Sequence, residues 1–332
     1  MRGSGPGKGR REQGGPLEID PRLEAQRPAL IGYCYRMLGS AFEAEDAVQE
    51  TLLRVWRSFG SFDETRAPLR SWLFTIATNI CLDMLRGPQR RARAMDLGPS
   101  SRAGTALGAP LPETAWVQPI PESLLPAHGD PAELAIERET VRLAFVAALQ
   151  YLPPRQRAVL ILREVLRWQA AEVAHLLGTT VASVNSALQR ARATLDAKSP
   201  APTEPFEPLD QAQQELLTRY VDAFERYDIT TLTSLLHEDA KMSMPPFTWW
   251  LRGPAEISTA WNAADSVCRG SRLIPVVANG SPAFGQYLAS GKPWALVVLG
   301  LSGGRITELT SYLEAERVFP LFGLPGEFPS GR

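Results

Sequence analysis

The stretch from Trp168 to Leu195, WQAAEVAHLLGTTVASVNSALQRARATL, constrains this chain most, because it reads as two short helices joined by a tight turn. In the first, Ala170, Val173, Ala174 and Leu177 recur at i, i+3, i+4 and i+7, on one apolar face. Gly178 supplies the break. Thr180 is a good N-cap, since its hydroxyl can accept from an exposed N–H of the next turn. The second helix turns Val184, Leu188, Ala191 and Leu195 inward. Ser183, Ser186, Gln189 and Arg190 take the opposite face, with Asn185 and Arg192 on its flanks. A helix that is apolar behind and small-polar and basic in front suits a DNA major groove. Small residues let it approach closely, and amides and guanidiniums read base edges or hold phosphates. The plainer reading is a helical hairpin with a solvated face.

At 332 residues the chain has room for two or three domains, and a hydrophobic fraction of 44% is enough for real cores. The net charge of -1 hides an uneven distribution. Lysine occurs only at Lys8, Lys198, Lys241 and Lys292, so arginine carries nearly all the positive charge. Arginines gather at Arg86, Arg90, Arg91 and Arg93 and again at Arg190 and Arg192; such clusters fit a solvated face or phosphate contacts. Cys34, Cys81 and Cys268 lie far apart in sequence and in apolar contexts, and His128, His175 and His237 are scattered. That pattern suits reduced core thiols of a cytoplasmic protein with no metal, cofactor or disulfide frame. No apolar run approaches the ~20 residues of a membrane span, and the basic N-terminus lacks the apolar core of a signal peptide.

Residues 1–20 are Gly- and Arg-rich and predict a disordered arm. Within a first domain over 21–95, helical periodicity dominates from Leu23 to Arg86, and Gly87 and Pro88 end it. Residues 96–131 are rich in Pro, Gly, Ala and Ser and predict a linker, longer than a loop within one compact domain, with an apolar middle at Trp116-Val117-Gln118-Pro119-Ile120. Helices resume over 132–198, with Pro153-Pro154 starting a new one. A Pro-rich linker at 199–207 leads to 208–332, where the texture changes. There, amphipathic helices run through Leu216–Phe224 and Leu232–Leu236. Strand-like runs follow at Lys241–Met244, Leu273–Ala278, Phe284–Ala289, Trp294–Leu301 and Arg305–Leu313, with a short helix at Pro254–Ala264. Ser302-Gly303-Gly304 is a hairpin signal. The expectation is two helices followed by an antiparallel sheet with one more helix, an α+β domain.

In Ser71–Arg86 the inward stripe is Leu73, Ile76, Ala77, Ile80 and Met84. Trp72, Asn79, Asp83 and Arg86 fall at i, i+7, i+11 and i+14, a narrow stripe on the other side. An exposed aromatic can stack on an unpaired base, and an amide or carboxylate can bond its edge. Alternatively, Trp72 packs on a neighbouring helix and the polar trio is surface. The preceding helix, Glu43–Phe59, buries Val48, Leu52, Val55 and Phe59 and exposes Asp46, Gln49, Glu50, Leu53 and Arg54.

DAVQETLLRVWRSFGSFDETRAPLRSWLFTIATNICLDMLR resembles region 2 of the extracytoplasmic-function group of sigma-70 bacterial transcription initiation factors. LPPRQRAVLILREVLRWQAAEVAHLLGTTVASVNSALQRARATL resembles their region 4. The resemblance implies two all-α sigma domains and a factor that binds core RNA polymerase and directs it to promoter DNA, the polymerase doing the chemistry. By that analogy Asp46, Gln49, Glu50 and Arg54 dock on the polymerase. Trp72, Asn79, Asp83 and Arg86 melt and read the −10 element as single strand. Ser183, Asn185, Ser186, Gln189, Arg190 and Arg192 read the −35 element in the duplex. The segment with Trp116 and Ile120 runs through the polymerase near the RNA path. The extension QELLTRYVDAFERYDITTLTSLLHEDAKMSMPP, with Trp249-Trp250 and Arg252-Gly253-Pro254, resembles the opening of the SnoaL-like cone fold and implies a built-in regulatory domain. Phe247, Trp249, Trp250, Trp261 and Trp294 could line a cavity for a small-molecule ligand or form a plain sheet–helix core. Asp222, His237 and Asp239 suit acid–base work in a cavity, or an exposed helix face and a turn before a strand. Two other readings stay open: a one-component helix-turn-helix regulator with a ligand-sensing domain, and an enzyme with a helical adaptor.

Overall fold

The computed structural model describes residues 20–65, 67–87, 91–126, 130–197, 204–263 and 268–329. The N-terminal arm up to residue 19, Pro88, Arg90, His128 and most of the Pro-rich stretch after Ala197 lie outside the described residues.

The first helices are α1 (Pro21–Glu24), α2 (Arg27–Leu38), α3 (Ala41–Ser58) and α4 (Leu69–Met84). From Leu30 to Leu38 every residue of α2 is buried, so this helix is the axis around which the others pack. Gly39, at φ +74, ends it with an N–H donated to the Tyr35 carbonyl. Ser40 then starts α3 by accepting from the Glu43 N–H at 3.2 Å. Val48, Leu52 and Val55 are buried as the periodicity predicts, and Phe59 is half-buried. In α4, Leu73, Ala77 and Ile80 are buried, joined by Phe74 and Cys81. Met84, predicted inward, is 43% exposed: the helix stops there, so it has no next turn to pack beneath.

The next helices are α5 (Pro131–Thr140), α6 (Leu143–Leu149), α7 (Pro154–Leu160), α8 (Ala170–Leu176) and α9 (Val181–Asp196). Pro153-Pro154 opens α7, where the missing N–H costs nothing. A single π-helical turn, Ile161–Val165, carries α7 toward α8.

The C-terminal part holds α10 (Gln211–Glu225), α11 (Ile229–Ser234), β1 (Leu236–Ser243), β2 (Trp250–Arg252), α12 (Pro254–Trp261), β3 (Arg272–Ala278), β4 (Ser281–Tyr287), β5 (Pro293–Ser302), β6 (Arg305–Tyr312) and α13 (Ala315–Leu321). The sheet has six strands in the order β2-β1-β6-β5-β4-β3. With the helices it forms the α+β cone expected for this segment. The sheet is mixed, not wholly antiparallel, because β1 runs parallel to β6. That pairing joins strands more than sixty residues apart, and no local pattern announces it. The strand predicted at Lys241 begins at Leu236, which puts His237 and Asp239 in β1 and not in a turn. Two hairpins use paired left-handed residues, Asn279-Gly280 at φ +55 and +61 and Gly303-Gly304 at φ +58 and +66.

Strand β5 explains how the halves join. Ala295, Val297, Leu299 and Leu301 face the cone interior with Tyr220 and Phe224. Leu296 and Val298 point the other way and share one core with Tyr33, Ile120, Val141 and Val146 of the helical half. A strand buried on both faces reads as a continuous apolar run, as Trp294–Leu301 does. No helix among the described residues is long and apolar enough to cross a membrane.

Candidate nucleic-acid interface

The turn between α8 and α9 is built by Gly178, at φ +60, and by Thr180, whose hydroxyl accepts from the Ser183 N–H at 3.2 Å. Val184, Leu188 and Ala191 fix the back of α9 in the core, while Leu195 is half-buried. Ser183, Asn185, Ser186, Gln189, Arg190 and Arg192 are all exposed. Both arginines are already engaged. Arg190 Nη1 donates to Ser186 Oγ at 2.7 Å, and Arg192 pairs with Glu164 at 2.5 Å. Glu164 sits in the preceding π turn and was not singled out in sequence. Exposed pairs of this kind hold a guanidinium in place at little net energy, so a phosphate or base can take over the partnership.

Of the four residues predicted on one stripe, Trp72, Asn79 and Asp83 lie along α4 and Arg86 follows just beyond its end. Trp72 is half-buried, with its ring stacked on Phe62 at 4.6 Å and 11°. Asn79 and Asp83 are exposed. Arg86, two residues past the helix end, pairs with Asp83 at 2.8 Å, the i,i+3 spacing of neighbours on a helix surface. The result is an aromatic ledge, Phe62 on Trp72, with Asn79 and an Asp83–Arg86 pair farther along. Phe62 escaped the sequence reading because it precedes the helix.

On α3, Asp46, Gln49 and Arg54 are exposed and Glu50 is half-buried. Glu50 accepts from Arg54 Nε at 2.6 Å. Between them stand two large apolar side chains in solvent, Leu53 and Trp56, each 48% exposed. Trp56 follows Leu53 by three positions, so the two share a face. The sequence reading picked out Leu53 alone.

In the first arginine cluster Arg86 is exposed, while Arg91 and Arg93 are structural. Arg91 is buried; it donates to the carbonyls of Glu113 and Trp116 at 3.0 and 2.8 Å and pairs with Glu43 at 2.5 Å. Arg93 pairs with Asp96 at 3.2 Å and Glu308 at 3.7 Å. These guanidiniums staple the segment after α4 to the body and are not available to phosphates. Its apolar middle is likewise spent: Trp116, Val117 and Ile120 are buried.

The two candidate DNA faces are held close together. The Phe74 ring of α4 meets Trp168, just ahead of α8, at 5.3 Å, and Arg70 lies over both rings at 5.7 Å. Buried Arg157 of α7 donates to the Met37 carbonyl at the end of α2 and to Gln150 Oε1 at 2.6 Å. Burial pulls its guanidinium pKa down to about 10, still charged at neutral pH. Fully buried Arg36 of α2 pairs with Glu137 of α5 at 2.5 Å.

Asn279, at the β3–β4 turn, ties all parts together. Its N–H donates to the Ile120 carbonyl at 2.9 Å, and its Oδ1 accepts from the Ile120 N–H at 3.0 Å. Its Nδ2 donates to Tyr35 Oη and to the Val141 carbonyl, both at 2.6 Å. Tyr35 in turn donates to the Gln118 carbonyl at 2.7 Å. Asn279 is fully buried, and its role is invisible in sequence beyond the Asn-Gly turn signal.

In the cone, Phe247, Trp249, Trp261 and Trp294 line a cavity of about 760 Å³. Trp250 does not. It alternates to the outer face, packs with Ala94 and Trp116, and donates its indole N–H to the Gly98 carbonyl at 3.0 Å. Asp222, His237 and Asp239 do not converge on this cavity. Asp222 is exposed, His237 accepts from the Asp239 N–H at 3.1 Å, and Asp239 pairs with Arg252 at 2.8 Å.

Two family models match the chain, Sigma-70 region 2 over residues 23–91 and Sigma-70 region 4 over residues 142–195. The ECF RNA polymerase sigma factor SigG of Mycobacterium tuberculosis is 42% identical over 319 residues, covering 93% of this chain and 84% of that protein. SigJ of the same organism is 32% identical over 217 residues, 65% of this chain and 62% of that protein. The crystal structure of M. tuberculosis SigJ superposes with a TM-score of 0.59 at 23% identity, over 92% of this chain and 99% of that one, a likeness of fold.

Proposed function

Since the chain belongs to the extracytoplasmic-function family of RNA polymerase sigma factors, we propose how its parts divide the work of a transcription initiation factor that directs RNA polymerase to promoters. Residues 21–95 act as region 2 and 132–198 as region 4, joined by 96–131, and 208–332 regulate them. The chain works in the cytoplasm and has no chemistry of its own. The polymerase is met by Asp46, Gln49, Glu50 and Arg54 around the apolar pair Leu53 and Trp56. An apolar centre inside a polar rim is the anatomy of a docking surface. Trp72, Asn79, Asp83 and Arg86 take the melted −10 strand, and the exposed face of α9 reads the −35 duplex.

The contact of Phe74 with Trp168 carries the regulatory part of this reading. Elements named −35 and −10 are roughly 25 base pairs apart, about 85 Å of B-DNA at ~3.4 Å per step. A compact chain of this length is roughly 50 Å across. Regions packed side by side cannot reach both elements of a straight duplex, so they must part before the promoter is bound. The C-terminal domain, through Asn279, opposes that parting.

Run-off transcription with purified core polymerase tests the reading. Full-length protein is expected to give promoter-specific product. Arg190→Ala is expected to lose about 1–3 kcal/mol of duplex binding. Asn79→Ala is expected to spare duplex binding and impair strand opening, read by permanganate footprints. Normal opening by Asn79→Ala removes the −10 assignment, and no product at any protein concentration removes the whole.

A further inference from the structure

The cone cavity has a roof that does not belong to the cone. Gly104, Thr105, Leu107 and Pro110, from the segment joining the two sigma regions, form part of its wall. The ends of this strap are pinned. The Ser101 N–H donates to the Trp250 carbonyl at 2.7 Å, the Ala103 N–H to Glu256 at 2.6 Å, and the Leu111 N–H to the Pro246 carbonyl at 2.9 Å. Between the pins, most of the strap is exposed, Gly104 and Gly108 sit at φ +83 and +77, and only Leu107 packs into the cone core.

The walls state what would fit. They are mostly apolar and aromatic, and among the described residues the only charged side chain on them is Glu314. A buried anion would find no cation there, at a large desolvation cost. A volume of about 760 Å³ is in the range of small-molecule sites.

We propose that this cavity binds an uncharged aromatic molecule, and that residues 104–110 are its roof. A ligand touching both wall and roof gains its full contact only while the strap is seated. It therefore favours the closed arrangement and lowers transcription, since a ligand shifts an equilibrium toward the state it binds better. Only this last effect rests on the regulatory reading given above.

The probe is 6-propionyl-2-dimethylaminonaphthalene (Prodan), an uncharged aromatic ketone, added to the full chain without polymerase. Expected results are blue-shifted Prodan emission, slower amide exchange at 104–110, and little response to the anionic 8-anilinonaphthalene-1-sulfonate. Ala260→Leu and Ala260→Trp, which each take up part of the cavity, should weaken Prodan, the larger side chain more. Absent binding, binding unaffected by both variants, or equal binding of the anion overturns the ligand class. Binding with unchanged exchange at 104–110 overturns the roof. Run-off transcription with and without Prodan is the separate arm. Unaltered output there, with binding and exchange as expected, overturns the coupling and leaves the promoter-directing role untouched.

Discussion

The chain has two apolar interiors, and they are built differently. The one between the helical half and the outer sheet face is solid. It holds Tyr33, Phe74, Ile120, Val141 and Val298 at or near zero exposure, and Tyr35 and Asn279 cross it with their side chains hydrogen-bonded inside. The one inside the cone is hollow, with a cavity of about 760 Å³. A solid, hydrogen-bonded interior transmits strain and resists change. A hollow one accepts mass from solution. The difference suits two tasks: the solid interior fixes where α4 and α9 stand, and the hollow one is the site proposed above for a ligand.

The comparison breaks if the solid interior proves soft. Asn279→Gly keeps the backbone's positive φ and removes the side chain that serves Ile120, Tyr35 and Val141. At about 1–3 kcal/mol for a buried group left unpaired, the variant is expected to lose roughly 2–4 kcal/mol in urea denaturation. It is also expected to lengthen the distance between labels on α4 and α9. A loss below about 0.5 kcal/mol would mean that the turn is dispensable.

Adding volume sharpens the contrast. Ala77, fully buried in α4, has no room, so Ala77→Leu should cost about 1–3 kcal/mol by overpacking. Ala260 faces the cavity, so Ala260→Leu should stabilise by about 0.5–1 kcal/mol. Thermal melts of both variants check the pair; equal costs would mean that the cone is as full as the helical core.

The smallest effect belongs to neither interior. Arg86 and Asp83 are 81% and 53% exposed, and such a pair is worth about 0–1 kcal/mol. Asp83→Asn should leave the melting temperature nearly unchanged while altering strand opening. A large stability change would place this pair among the structural contacts and take it out of the DNA face.

What the amino-acid order alone determined is local or periodic. The turn at Gly178 and Thr180, the inward stripes of α3 and α9, the Gly303-Gly304 hairpin and the order of the two helical blocks follow from capping, φ preference and 3.6-residue spacing. The exposure of all six α9 candidates follows too, because one face of a helix buried by Val184, Leu188 and Ala191 leaves the other in solvent. Packing between distant segments decided the rest. Trp72 found Phe62, Arg86 left the helix that should have carried it, Arg91 became a buried staple, and β1 paired parallel to β6. Asn279 reached Tyr35 across 244 positions, and a segment that reads as spacer became part of a cavity wall. Sequence spacing carries no information about which surfaces meet once the chain is folded. Those meetings are chosen by the joint burial of faces and the pairing of groups that lose water together, so only the tertiary structure displays them.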